Sequence, residues 1–212
     1  MRIVCLHGYG VTGEDFERLA RVLRREHDVV VPTLPGWGGT SKPPRPLDLA
    51  GLADSLAPLL PGAIVANSLG CQVSVELAVR RPELVSSLVL IGPTIDPYGS
   101  LPLGFLRDGV HEPPSLWWLL ARDYARLGPR RLVRTAQFAL AQRLDALLPR
   151  VRAPTLVLRG AHDGLVSRRW CEEVAELLRG GRFVQLPVGA HAVHYTHPGL
   201  VAQEVEQHLG ER

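Results

Sequence analysis

The chain has 212 residues, 46% of them hydrophobic and 21% charged, and its 24 Lys and Arg against 21 Asp and Glu leave a net charge of +3. That length fits one domain with a core of ordinary size, and the composition excludes wholesale disorder. Neither sign of charge forms a long run, so no nucleic-acid or anionic-membrane footprint is expected. Lys42 is the single lysine of the chain, which leaves amine catalysis one candidate. Cys5, Cys71 and Cys171 are too few and too scattered for a disulfide framework or a zinc ribbon.

The first run, Met1 to His7, meets a glycine turn too early to be the apolar region of a secretory signal. No stretch approaches transmembrane length, so a cytoplasmic protein is expected. From there, short apolar β-branched runs alternate with longer amphipathic segments, the pattern of a parallel sheet covered by helices. Strands are predicted at 2–7, 28–31, 63–67, 87–91, 155–159 and 182–186, each mainly Val, Ile or Leu, as expected where both faces are buried. Helices are predicted at about 14–26, 47–60, 69–80, 168–179 and 198–209. Thr12 ahead of Asp15 is close to a capping box, Ser167 stands as an N-cap, and Pro82 stops the third helix. The alternation breaks between Pro93 and Pro149, where helical pieces fit only at about 115–127 and 130–147. The division is therefore 1–93 with 150–212 as the core and 94–149 as a helical lid over the carboxyl edge of the sheet.

The strongest local signal is Ala66-Asn67-Ser68-Leu69-Gly70. A buried strand runs into a serine flanked two residues away by small residues, and a helix follows, which is the pattern of a nucleophile elbow. An ordinary serine N-cap at a strand-to-helix turn would read the same way. A serine hydroxyl needs a base, and the base needs an orienting acid. Asp163 follows the strand at 155–159, and His191 follows the last strand, so Ser68, Asp163 and His191 occur in the required order. Asp96 is the competing acid, although Asp96-Pro97 reads equally well as an Asx turn. The oxyanion donors would be the N–H of Leu69 and, from the loop after the first strand, that of Tyr9 or, second, of Gly10.

At this point the chain resembles an α/β-hydrolase-fold enzyme of the compact group with a His-Gly loop and a helical lid. The resemblance rests on His7-Gly8-Tyr9-Gly10, Pro35-Gly36-Trp37-Gly38, Ala66-Asn67-Ser68-Leu69-Gly70, the run from Ala153 to Asp163, and Gly189-Ala190-His191. It implies an α/β fold with a mostly parallel sheet of about six strands, a helical lid after the fourth strand, and no metal or organic cofactor. It also implies a serine esterase working through an acyl-enzyme on a small, uncharged or apolar ester, as a monomer or weak homodimer. Thioesterases, lactonases and carbon–carbon hydrolases, lyases or cyclases share this scaffold, and a non-catalytic binding protein could keep it. The family usually has about two strands more ahead of its His-Gly loop, whereas this chain starts directly with the strand leading into that loop. Thr33-Leu34 stands where an aspartate is common.

Pocket candidates are Trp37, Phe105, Trp117, Trp118 and Phe138, with Leu106 and Leu119, against the plainer reading that these simply pack the lid. Gly8-Tyr9-Gly10-Val11-Thr12-Gly13 fits a dinucleotide fingerprint, but the second strand ends without an acid for a ribose. His191, His194 and His197 raise a metal cluster, against which stand the missing carboxylate or thiolate support and Pro198. His194 is the fallback base, His194 and His197 otherwise surface or supporting residues, and His7 a brace for its own loop. His27, His111 and His208 are expected on the solvent side.

Overall fold

Six parallel strands carry the molecule, and their order in the sheet places the functional loops. The computed structural model describes residues 1–99 and 101–211, without the side chains of Leu101, Pro102 and Phe105. The strands are β1 (Arg2–Leu6), β2 (Asp28–Val30), β3 (Gly62–Asn67), β4 (Val85–Ile91), β5 (Thr155–Gly160) and β6 (Arg182–Leu186). They lie in the order β2-β1-β3-β4-β5-β6, with all pairs parallel. The order reverses between β1 and β3, and the crevice outside the carboxyl ends of two such strands is where ligands bind in open parallel sheets.

Side chains alternate across the sheet and feed two cores. Val4, Leu6, Ile64, Ala66, Leu88 and Leu90 face α2 (Leu49–Leu56), α3 (Leu69–Arg80) and α8 (Arg168–Leu177). Ile3, Cys5, Ala63, Val65, Val89 and Ile91 face α1 (Glu17–Leu23) and α10 (Pro198–Gly210). The near-continuous apolar strands of the sequence follow directly from this burial on both faces. Cys5, Cys71 and Cys171 are free and buried within these layers.

Between β4 and β5 lie α4 (Leu101–His111), α5 (Pro114–Leu127), α6 (Pro129–Ala141) and α7 (Leu144–Leu147). α5 matches the expected piece at 115–127, while the one expected at 130–147 is divided between α6 and α7. α4 was not expected, because Gly104 and Gly109 lower helix propensity by about 1 kcal/mol each relative to alanine. The last short helix, α9 (Val193–Thr196), follows His191 directly.

The insertion is tied to the sheet by specific polar contacts. Asp123 of α5 accepts from both the N–H and the Oγ1 hydroxyl of Thr12, at 3.1 and 2.9 Å. Thr12 therefore spends its side chain on the insertion instead of capping the turn that starts at Gly13, correcting the capping-box expectation. The Tyr9 hydroxyl donates to the Leu132 carbonyl at 2.7 Å, and Gln72 Nε2 donates to the Ala139 carbonyl at 2.9 Å. Ser167 does cap its helix, accepting from Trp170 N–H at 3.2 Å. Among the described residues no helix is long and apolar enough to cross a membrane.

Leu88 sits fully buried in β4, at the middle of the sheet. Leu88→Ala is expected to lower unfolding free energy in urea by about 3 kcal/mol. A loss under about 1 kcal/mol would show that this layer is not packed as described.

Candidate active site

β3 runs into α3 through a turn centred on Ser68. Ser68 has φ 53° and ψ −119°, and is the one non-glycine residue at positive φ among the described residues. Backbone held in a sparsely populated region costs roughly 1–3 kcal/mol and marks functional turns. The small residue two positions on is required by contact. A Cβ on Gly70 would stand 2.6 Å from the Leu6 carbonyl oxygen and 2.7 Å from that of His7. α3 can thus begin directly behind the carboxyl end of β1, with Leu69 as its first residue.

The His-Gly loop lies against this turn. His7 is wholly buried, its Nε2 accepts from Leu34 N–H at 3.0 Å, and its Nδ1 lies 2.9 Å from the Gly8 carbonyl. With Nε2 an acceptor, Nδ1–H is the donor, so the ring is neutral, and burial lowers its pKa in the same sense. The expected brace of the loop is what the contacts describe. They also answer the Thr33-Leu34 departure, since a backbone amide is what His7 holds there.

Asp163 and His191 meet beyond β5 and β6. His191 Nδ1 lies 3.0 Å from Asp163 Oδ2, and Asp163 Oδ1 accepts from the N–H groups of Leu165 and Val166 at 2.9 and 2.8 Å. The carboxylate is thereby fixed by two amides and orients the ring, leaving Nε2 as the basic nitrogen. That Nε2 is buried and has no hydrogen-bond partner among the described residues. It opens on the cavity that Ser68 also lines. Burial disfavours the charged ring, but Asp163, aided by Asp108 and Glu112, outweighs it and brings the His191 pKa up to about 8.

The cavity encloses about 100 Å³ and is walled by Gly8, Tyr9 and Ser68 on one side and by Leu116, Trp117, Leu120 and Tyr124 of α5 on the other. The chemistry such a site can do is acyl transfer: a hydroxyl on a strained turn, a nitrogen able to take its proton, and a carboxylate to hold the ring.

Other sequence candidates fall elsewhere. Of the five aromatics expected in the pocket, Trp117 lines it. Trp118 is 70% exposed, because the adjacent position on α5 faces away. Trp37 is core, only 3% exposed, and packs edge-on against His7 and Tyr9. Phe138 is half-buried beside Arg134, outside the cavity wall. Phe105 lies outside the described residues. Leu106 is exposed, and Leu119 is buried against Ala192 and Tyr195.

Asp96 does not pair with His191. It accepts from Tyr98 N–H and from Ser167 N–H, both at 2.7 Å, which makes it an Asx turn that also braces the start of α8. His194 is fully buried, not at the surface, stacked on Phe16 with Nε2 at 3.3 Å from Asp15. His197 lies beside Thr196, so the three histidines do not converge. Among the described residues the side chains close enough to share an ion are Asp108, Asp163 and His191, with donor atoms within 4.8 Å of one another. There the Asp163–His191 hydrogen bond already takes one donor atom from each of the pair. His208 is buried near Ser87, and His27 is half-buried against Glu206, correcting the solvent-side expectation for both; His111 is exposed and stacks on His162. Asp108 and Glu112 are among the wall residues that no sequence signal singled out. The two acids, four apart, lay in a segment given no helix.

A family model described as the alpha/beta hydrolase family matches residues 3–204. The chain belongs to the alpha/beta hydrolase family. This hydrolase is similar to the pimeloyl-[acyl-carrier protein] methyl ester esterase of Aromatoleum aromaticum, 31% identical across 96% of each chain. It is 30% identical over 92% of its own length to the polyketide synthase ThaQ of Burkholderia thailandensis, of which it spans only 11%. Among solved structures it resembles a bacterial membrane phospholipase A with TM-score 0.84 and 26% identity, covering 99% of the hydrolase and 78% of that chain.

Asp163→Asn removes the charge that offsets burial, so the His191 pKa is expected to fall from about 8 to below its ordinary 6.5. A ring-proton NMR titration of both proteins checks this; an unchanged midpoint would detach the histidine from that carboxylate.

Proposed function

We propose that this hydrolase cleaves small, uncharged carboxylic esters through an acyl-enzyme on Ser68. The observation that carries the reading is the buried, unpartnered Nε2 of His191 in the cavity of Ser68, with Nδ1 already held by Asp163. The similar esterase is named for ester hydrolysis, which supports the same class of bond here.

In this mechanism Ser68 Oγ attacks the ester carbonyl as His191 Nε2 takes its proton. Asp163 orients the ring and stabilises the imidazolium. The carbonyl π electrons move to the oxygen, which the N–H groups of Leu69 and Tyr9 receive. The tetrahedral species collapses, the carbon–alkoxide bond breaks, and the departing oxygen takes the proton from His191. Water, deprotonated by the same nitrogen, then attacks the acyl-enzyme and releases the acid, restoring Ser68.

The wall supports an uncharged substrate. Among the described residues it contains no Lys or Arg, while Asp15, Asp108 and Glu112 contribute carboxyl groups that would repel a free carboxylate. A cavity of about 100 Å³ suits a short alcohol or acyl portion. The methyl ester in the similar esterase's name is of that size.

A fluorophosphonate probe is expected to label the wild-type protein at Ser68 and not to label Ser68→Ala. The variant should lose at least about 10³-fold in kcat on a p-nitrophenyl acetate assay while keeping its circular dichroism. Methyl esters should outpace octyl esters of one acid. Activity retained in Ser68→Ala would sink the proposal.

A further inference from the structure

The end of α4 and the residue that follows it bring to the site two carboxyl groups that the proposed mechanism leaves unused. Asp108 lies on α4 and Glu112 is the residue just past its end, where the Glu112 N–H still donates to the Asp108 carbonyl at 2.9 Å, so the two stand one turn apart. Asp108 Oδ1 accepts from Gly164 N–H, and Glu112 Oε1 accepts from Ala192 N–H, both at 2.8 Å. Gly164 is the residue after Asp163, and Ala192 the residue after His191. Each carboxyl therefore holds the peptide that directly follows one member of the acid–base pair.

The approach is close enough to exclude side chains. A Cβ on Gly104, one turn before Asp108, would stand 2.6 Å from the Gly164 carbonyl oxygen. One on Gly164 would meet Arg107 Cβ at 2.7 Å. The glycines that weaken α4 as an isolated helix are thus partly what lets it seat against the loop after β5. Asp108 and Glu112 are only 3% and 8% exposed. Buried carboxyls with so few partners are costly unless their position serves something.

We propose that Asp108 and Glu112 are positioning residues of the ester-hydrolysing site, clamping α4 onto the loops that carry Asp163 and His191 and adding negative charge beside the protonated form of His191. The inference rests on the reading of His191 as the base for Ser68. The donor atoms of Asp108 lie within 4.8 Å of those of both Asp163 and His191, a range over which an opposite charge favours the charged form. The other titratable groups around His191 are Asp15 and His194, which pair with each other, and the phenols of Tyr9 and Tyr124. Burial pushes the Asp108 carboxyl up to about 6, so it is ionised where His191 titrates. Burial likewise raises Glu112.

The test uses the full-length protein and its isosteric variants Asp108→Asn and Glu112→Gln, which keep an acceptor oxygen and remove the charge. In Asp108→Asn, kcat is expected to fall about tenfold with KM changed less than about twofold. The acid limb of its kcat/KM profile should move to lower pH by about half a unit or more, because His191 deprotonates more readily. Glu112→Gln should do the same more weakly, and it decides the matter if Asp108→Asn does not fold. Unchanged rates and limb, a loss confined to melting temperature, or a rise in KM alone would each overturn the clamp while leaving the esterase reading intact. Failure of the wild-type protein to label with a fluorophosphonate would overturn both.

Discussion

Everything at the site depends on how closely the start of α3 passes the end of β1. The carbonyl oxygens of Leu6 and His7 occupy the space that a side chain at position 70 would need. That crossing forces Ser68 into its strained conformation and brings the amide end of α3 beside the His-Gly loop. Loosening it by one methyl group would separate the serine from the loop opposite. The order β2-β1-β3 sets the same closeness at the level of the sheet, since the two strands feeding the site are neighbours while the chain leaves them in opposite directions.

Buried polar groups make up much of the second layer of this arrangement. His7 is neutral because one nitrogen accepts an amide and the other donates to a carbonyl. Asp163 is fixed by two amides before it touches the histidine. Asp15 and His194 pair along the wall, wholly enclosed. In a low-dielectric interior such groups hold one geometry, because each alternative position leaves a donor or acceptor unsatisfied.

The strands and the serine–acid–histidine order are legible in the sequence because they rest on local signals: apolar β-branched runs, and small or polar residues just past their ends. The same holds for α5 and α6, whose apolar residues recur at helical spacing. α4 is not legible. Gly104 reads as a breaker, and its role is a long-range contact with Gly164 that no local pattern encodes. Trp118 and Trp117 are indistinguishable by type, and only the orientation of α5 separates wall from solvent. His194 looks like a surface residue in sequence, since its partner Asp15 is 179 positions away.

The bonds between Thr12 and Asp123 join the loop after β1 to the wall of the cavity. Thr12 follows Gly10 and Tyr9 in the chain, and Asp123 sits beside Tyr124 on the wall opposite Ser68. One buried carboxylate thus ties the loop that faces the serine to the helix that walls the cavity, while Arg122 Nε holds its other oxygen at 2.9 Å. A change at this one residue would be felt on both sides of the cavity at once.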